Sequence, residues 1–441
     1  MEKVEAIQPR GGYRRLKATL VLVSVYGCVT GLHLLTYFVS WGQWVVLGLM
    51  CPVAIHALRL LVVRRPLETT EPVSPHEPLP QVSLLVSAKN EETVIGRLAH
   101  NLCSLDYAAD RLEVWIVNDY SVDQTPQILT ELQKKYPQLH VLHRPENAGG
   151  GKSGALNQVL KLTQGEIIGV FDADASIDRD FLYHLLPMFH NPQVGAVQLR
   201  KAIANGAENF WTKGQVAEMA LDAFFQERRQ KVGGIGELRG NGQFVRRQAL
   251  LQCGGWNEQT ITDDLDLSFR LHLCCWQISC MNFPPVNEEG VTSLGQLWHQ
   301  RNRWAEGGFQ RYLDYWQALF SRLPWPKKID LFLFFLMQYL IPSALVPDTI
   351  ASIALRHGSV ILPFSSMAVI LSSIGMFFGV KRSYQLSWKG SLLHTLRGTL
   401  YMLHWIPVMI SVTLRMCLVP KRLKWVKTVH QGTVHSELLQ H

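Results

Sequence analysis

Five long apolar runs, two before and three after a largely polar block, constrain this chain more than any motif in it. Ala18 to Val39 and Trp44 to Val63 are each about twenty residues long and nearly free of charge, the length that crosses roughly 30 Å of hydrocarbon. Only four residues separate them, so they are expected to form a helical hairpin. Leu331 to Leu355, Val360 to Val380 and Leu392 to Val419 are the three later candidates for membrane helices. With 441 residues, 47 % hydrophobic content and a mean hydropathy of +0.05, the chain is too apolar for an ordinary soluble enzyme and too polar for a bundle of spans alone. A soluble block tethered between membrane segments fits both figures.

The formal net charge of +8 would ordinarily raise nucleic acid as a partner. Much of the excess, however, flanks the apolar runs: Arg14, Arg15 and Lys17, then Arg64 and Arg65, then Lys327 and Lys328, then Lys421, Arg422, Lys424 and Lys427. That distribution suits an anionic membrane surface and sets nucleic acid aside. The positive-inside rule places the N-terminus and everything after Arg65 in the cytoplasm. Three further crossings would leave the basic tail outside, against the same rule. One late segment is therefore expected to be re-entrant or interfacial, with Pro342, Pro347 or Pro407 as candidate interruptions. No cleavable signal peptide is expected, because the first apolar run leads at once into the second. Eight cysteines without a C-x-x-C pair imply neither a zinc site nor a disulfide framework.

Between the apolar blocks, Val82 to Ser87, Leu112 to Val117, Val141 to His143, Ile167 to Phe171 and Gly195 to Leu199 read as buried strands, with amphipathic helical stretches between most of them. Strand and helix in alternation predict an α/β domain with a parallel sheet and ligands at the carboxyl ends of its strands. The organisation expected is a transmembrane hairpin (1–65), a proline-rich linker (66–80), an α/β catalytic domain (81–308), an amphipathic interfacial segment (309–328), membrane helices (329–420) and a basic tail (421–441).

Chemistry-bearing residues concentrate in the α/β block. Asp119 ends the second strand, where it can accept from a nucleobase or ribose or simply cap the next helix. Asn147 to Asn157, reading NAGGGKSGALN, fails as a phosphate-gripping P-loop because Glu146 stands where its first glycine belongs. The glycines and Lys152 remain able to approach a nucleotide. Asp172 and Asp174 project from a strand end as D-x-D, a pair suited to Mg²⁺ or Mn²⁺ shared with substrate phosphates. Asp264, in Thr262-Asp263-Asp264, is the candidate general base for an acceptor hydroxyl; Asp263 and Asp266 equally suit the start of a helix. Gln300, Arg301, Arg303 and Trp304 offer two guanidinium forks and an indole, fitted to diphosphate oxygens and to a sugar or lipid headgroup.

Together these residues resemble the membrane-bound family 2 glycosyltransferases, which have a GT-A (Rossmann-like) fold and include cellulose, hyaluronan and chitin-oligomer synthases. The resemblance spans roughly Val82 to Trp304 and rests on the order D, D-x-D, T-E-D and Q-x-x-R-W. Here the third part carries Asp263 in place of the usual Glu. The resemblance implies an inverting transfer from a nucleotide-activated sugar. It assigns Asp119 and Lys152 to uridine, Asp172 and Asp174 to diphosphate and metal, and Asp264 to the acceptor hydroxyl. Arg301, Arg303 and Trp304, in one cluster with Gln300, fall to the diphosphate and acceptor side. Longer stretches, such as GGIGELRGNGQFV, GGWNEQTITDDLDL and LWHQRNRWAEGGFQRYLDYW, are similar to lipid-glucosylating members of the family. That similarity implies UDP-glucose as donor and 1,2-diacylglycerol in the lipid bilayer as acceptor. Two alternatives stand beside it: a processive polysaccharide synthase, for which the late segments offer little polar lining, and a silent scaffold, against which the intact carboxylates argue.

Overall fold

The computed structural model describes residues 13–39, 41–63, 79–419 and 432. Arg64, Arg65, most of the proline-rich linker and the basic cluster from Lys421 lie outside the described residues. The chain opens with the expected hairpin, α1 (Arg14–Phe38) and α2 (Gly42–Val62).

The sheet follows. β1 (Val82–Ala88), β2 (Leu112–Asp119), β3 (Leu139–Arg144) and β4 (Ile167–Phe171) are parallel, connected through α3 (Ile95–Cys103), α4 (Thr125–Lys135) and α5 (Gly151–Leu160). Next come α6 (Phe181–Leu185), β5 (Val194–Ile203), the long α7 (Phe210–Lys231), β6 (Gln243–Arg246), α8 (Arg247–Gln252), α9 (Asp263–Leu273) and β7 (Gln277–Glu288). The strand order is β3-β2-β1-β4-β6-β5-β7. The wholly parallel sheet expected from strand–helix alternation is corrected by β6, which runs antiparallel to both β4 and β5. Four residues behind the glycine-rich turn Arg239-Gly240-Asn241-Gly242 are too few to announce themselves by periodicity.

Both faces of the sheet are covered, as a parallel core requires. Val82, Leu84 and Val86 of β1 pack with α3, α4 and α6, whereas Leu85 packs with α5, α8 and α9 on the other side. Gly169, in the middle of β4, leaves room for the Phe244 ring of its neighbour β6.

After the sheet, α10 (Leu294–Arg322) is one unbroken helix of 29 residues. The basic-aromatic cluster and the amphipathic segment, expected on either side of residue 308, are two parts of it. α11 (Trp325–Phe335) and α12 (Ile341–Leu355) continue through a π-turn as a single apolar span, and α13 (Leu362–Tyr384) follows. The last apolar run divides into α14 (Trp388–Met402) and α15 (Trp405–Leu418). Pro407 accounts for the division, since its ring excludes the carbonyl of Leu403 four residues back. Five segments among the described residues are long and apolar enough to cross a membrane: Arg14–Phe38, Gly42–Val62, Trp325–Leu355, Leu362–Tyr384 and Trp388–Leu418.

The fifth packs back against the α/β domain. At the start of α14 the Trp388 ring lies 4.6 Å from Phe377. Trp405 Nε1 donates to Glu218 on α7 at 2.8 Å, Arg415 reaches Glu306 on α10 at 2.7 Å, and Arg15, at the start of α1, donates to the Leu418 carbonyl at 2.9 Å. The opposite pole of the bundle is marked by His33 and Asp348, 2.9 Å apart, with Asp348 also accepting the Val360 and Ile361 N–H groups that begin α13. The end of α15 thus returns to the beginning of α1.

Gly169→Ala tests the packing of the sheet centre. Its Cβ would stand 2.4 Å from Phe244 and 2.8 Å from Leu84. The expected result is a loss of about 1–3 kcal/mol, read as a lowered thermal midpoint of detergent-purified protein; an unchanged midpoint would show slack at this position.

Candidate active site

The carboxyl ends of β1, β2 and β4 open toward α5, α9 and α10, and the polar residues gather there. Asp172 and Asp174 leave the end of β4. Asp172 keeps 43 % of its side chain exposed and pairs with Lys152 at 2.5 Å. Burial would raise the Asp172 carboxyl, but the Lys152 ammonium, aided by Lys201 and Arg303, outweighs it and holds the group below the usual carboxylate range. The effect is mutual: burial acts to depress Lys152, yet the charges of Asp172, Asp263 and Asp264 leave it raised. Asp174 is buried and accepts the Glu289 N–H at 2.8 Å, which ties the D-x-D turn to the end of β7.

Asp264 stands in the first turn of α9, with Thr262 before it. Gly240 approaches it with a positive φ of 83°, and a Cβ there would lie 3.4 Å from the Asp264 carboxylate. Burial and the adjacent Asp263 charge push the Asp264 carboxyl up to about 6, with Lys152 and Arg239 pulling the other way. A carboxyl tuned close to neutrality in a cleft is the profile of a general base.

Arg303 faces this group of charges. Burial depresses its guanidinium, while Asp172, Asp264 and Asp263 oppose the shift. Arg301 lies elsewhere: it is 1 % exposed, with Nη2 on the Glu218 carboxylate and on the Tyr401 hydroxyl at 3.1 Å and Nη1 on Gln300 at 2.6 Å. Residues two apart on a helix point to opposite sides, so one helix cannot turn both arginines into the same cleft. Trp304 is half-buried, with the Arg301 guanidinium 4.0 Å and the Lys201 ammonium 4.9 Å from its ring centre.

Asp119 is engaged by Arg144 at 2.6 Å. Arg144 also donates to the Gly149 carbonyl at 2.5 Å and the Gly151 carbonyl at 3.2 Å, so Asp119 braces the glycine turn that leads into Lys152. Gly150, at φ 80°, has the left-handed backbone that glycine favours, and a Cβ there would stand 2.9 Å from the Gly154 Cα.

Several contributors carried no role in the sequence reading. Asn241 is fully buried, accepts the Asp172 backbone N–H at 3.2 Å and donates to Glu288 at 3.2 Å. Lys201 pairs with Glu288 at 2.9 Å beside Trp304. The asparagine lies between two glycines in RGNGQ, a turn signal that was visible; the lysine sits inside a strand and carries none.

Residues 83–254 match the sequence profile described as Glycosyl transferase family 2. The chain is 56 % identical over 427 residues to a beta-monoglucosyldiacylglycerol synthase of Nostoc sp., covering 95 % of this chain and 90 % of that one. The chain belongs to glycosyl transferase family 2. A beta-monoglucosyldiacylglycerol synthase of Synechocystis sp. is 53 % identical, with 96 % and 90 % coverage. Among solved structures, a mannosyltransferase from Pyrobaculum calidifontis in complex with GDP-Man and Mn²⁺ superposes with a TM-score of 0.53 at 22 % identity, over 87 % of this chain and 99 % of that one. The fold is therefore of the GT-A glycosyltransferase type, and the protein is a family 2 glycosyltransferase.

Asp264→Asn has a definite signature in stability. A carboxyl raised from the ordinary aspartate value to about 6 destabilises the native state once ionised. The variant should therefore be more stable than wild type at pH 7, by about 1–2 kcal/mol. That gain should shrink as pH falls from about 6 toward the unfolded value, because the native carboxyl then takes up its proton. Thermal midpoints at pH 7 and pH 4.5 check it; an equal difference at both would remove the raised carboxyl.

Proposed function

We propose that this glycosyltransferase moves glucose from UDP-glucose to the free hydroxyl of 1,2-diacylglycerol, with inversion, at the cytoplasmic face of a membrane. The observation that carries the reading is the identity of 56 % across 95 % of the chain with a beta-monoglucosyldiacylglycerol synthase, joined to a cleft whose candidate base stands against the helix leading into the apolar bundle. Support for the orientation comes from Arg14, Arg15 and Lys17 at the start of α1, Lys381 and Arg382 at the end of α13, and the return of α15 to Arg15, all at the pole that holds the catalytic domain.

On this reading the nucleoside end of the donor lies over the carboxyl ends of β1 and β2, where Asp119 holds the Gly149–Gly151 turn through Arg144. Lys152 and Arg303 bind diphosphate oxygens. Asp264 takes the proton of the glycerol hydroxyl as its oxygen bonds to the anomeric carbon; the bond from that carbon to the diphosphate breaks, and UDP leaves with the electron pair. Trp304 and Gln300 line the acceptor side.

The residues present fit a hard divalent cation. Asp172 is exposed at the strand end, and a buried oxygen of the neighbouring Asp263 has no hydrogen-bond partner. Among the described residues no set of three or more ligating side chains is assembled, and Mg²⁺ or Mn²⁺ shared between one or two carboxylates and substrate phosphates needs none. Asp172 and Asp174 would hold it, and when bound it neutralises charge on the departing diphosphate.

Membranes containing the chain, given radiolabelled UDP-glucose, diacylglycerol and Mg²⁺, are expected to yield a single labelled glycolipid that disappears with EDTA. Label in material insoluble in organic solvent would instead indicate polymer synthesis. Asp264→Asn should lower transfer by about 10²–10⁴-fold while UDP binding persists; transfer near the wild-type rate would take the base role from Asp264.

A further inference from the structure

The strongest unassigned feature is a buried carboxylate with three donors at the turn between α14 and α15. Glu218 on α7 accepts from Arg301 Nη2, from the Tyr401 hydroxyl at 2.9 Å and from Trp405 Nε1 at 2.8 Å. These donors come from α10, α14 and α15, so one side chain ties α7 to three helices that lie far along the chain from it. Burial alone would raise the Glu218 carboxyl, but the Arg301 guanidinium outweighs it and keeps the group ionised. The node is closely packed: a Cβ at Gly214, one turn before Glu218, would come within 2.2 Å of the Tyr401 ring.

Two surfaces meet at this node. On one side, Arg301 lies 4.0 Å from the centre of the Trp304 ring, the residue assigned above to the acceptor side. On the other, α14 turns Ser391, Thr395, Gly398 and Tyr401 inward, and leaves Leu392, Leu393, Leu396, Leu400 and Leu403 exposed as one continuous apolar face. An exposed face of this kind suits contact with acyl chains near a membrane surface. We infer that Glu218 is a positioning residue for the lipid acceptor: through Arg301 it sets the Trp304 indole, and through Tyr401 and Trp405 it fixes that indole relative to the interfacial helix. Glu218 is not among the residues assigned above to the donor or to the reacting atoms. This inference rests on the lipid-acceptor reading above and extends it to the residue that registers the cleft against the bilayer surface.

The consequence is a split between the two substrates. Glu218→Gln keeps the side-chain shape and removes the charge that holds Arg301. In full-length protein reconstituted into phosphatidylcholine vesicles with graded diacylglycerol, the variant should raise the apparent KM for diacylglycerol about tenfold. The KM for UDP-glucose should stay within about twofold of wild type. Tyr401→Phe removes one hydroxyl from the same node and should raise only the diacylglycerol KM, by about threefold. Should Glu218→Gln fail to accumulate folded protein, Tyr401→Phe carries the test.

A loss confined to kcat, or a rise in both KM values together, would overturn the positioning role, as would unchanged kinetics. A wild-type protein that makes no glucolipid under these conditions would overturn the lipid-acceptor reading itself. Active wild type with unaltered variants overturns the inference about Glu218 alone.

Discussion

The join between the catalytic sheet and the apolar helices depends on one buried carboxylate, Glu237. It is wholly inaccessible and is held by Arg311 at 2.6 Å, Arg229 at 3.0 Å and Arg239 at 3.1 Å. Burial would raise such a group, yet the three guanidinium groups drive it far below the ordinary carboxylate range. Each partner belongs to a different part of the molecule: Arg229 to α7, Arg311 to α10 and Arg239 to the turn beside the active site. Arg229 also binds Asp330, in the first turns of the third apolar span, at 2.9 Å. Removing Glu237 would leave three guanidinium groups short of a counter-charge in a dry interior, the situation that makes broken buried pairs strongly destabilising. The turn that follows Arg239 places Gly240 beside Asp264 and Asn241 on the Asp172 backbone, so the placement of both carboxylates follows from this ionic join.

How much of this was legible in the sequence follows from the range of each interaction. Strands such as Ile167–Phe171 announced themselves through apolar runs bounded by polar turns, and their carboxyl ends indicated where Asp119, Asp172 and Asp174 would stand. Lys152 and Asp264 could be placed near them only by resemblance. β6 escaped because four residues between two strands of its own sheet have no period of their own. The break at Leu403 was narrowed to three prolines, but hydropathy could not choose among them. Pro342 and Pro347 sit within a continuous apolar segment beside a π-turn, whereas Pro407 stands in the first turn of α15, just past the break. Glu218 was invisible for a plainer reason. Nothing local distinguishes a helix-surface glutamate from one whose partner lies 83 or 187 residues away.

The two arginines of the basic-aromatic cluster show what helical geometry adds to composition. As sequence, Arg301 and Arg303 are equivalent diphosphate forks. On α10 their side chains diverge, and they acquire different surroundings: carboxylates of the cleft for Arg303, Glu218 and Tyr401 for Arg301. A cation in the cleft is available to an incoming diphosphate, whereas one already paired and dry is not. Arg301 can nevertheless act on the reaction through what it packs against, because an indole between two cations has fewer orientations open to it than a free one.

A lipid acceptor imposes a constraint that a soluble sugar does not, since its hydroxyl stays within a few ångströms of the bilayer surface and the base must come to that depth. The structure has a direct way to meet this demand. Gly307 of α10 lies against Thr262, where a Cβ would be 2.3 Å from the threonine hydroxyl, so the helix packs without clearance on the turn that carries Asp264. The same helix continues for four turns into Leu313, Tyr315 and Leu319, which share a core with Ala18 of α1 and Val408, Met409 and Val412 of α15. The candidate base and the apolar bundle are therefore linked through the packing of α10 on the Thr262 turn, and the depth of Asp264 follows from how the bundle seats. That connection explains the glycine at 307 in a helix that would otherwise favour alanine: the contact with Thr262 has no room for a methyl group.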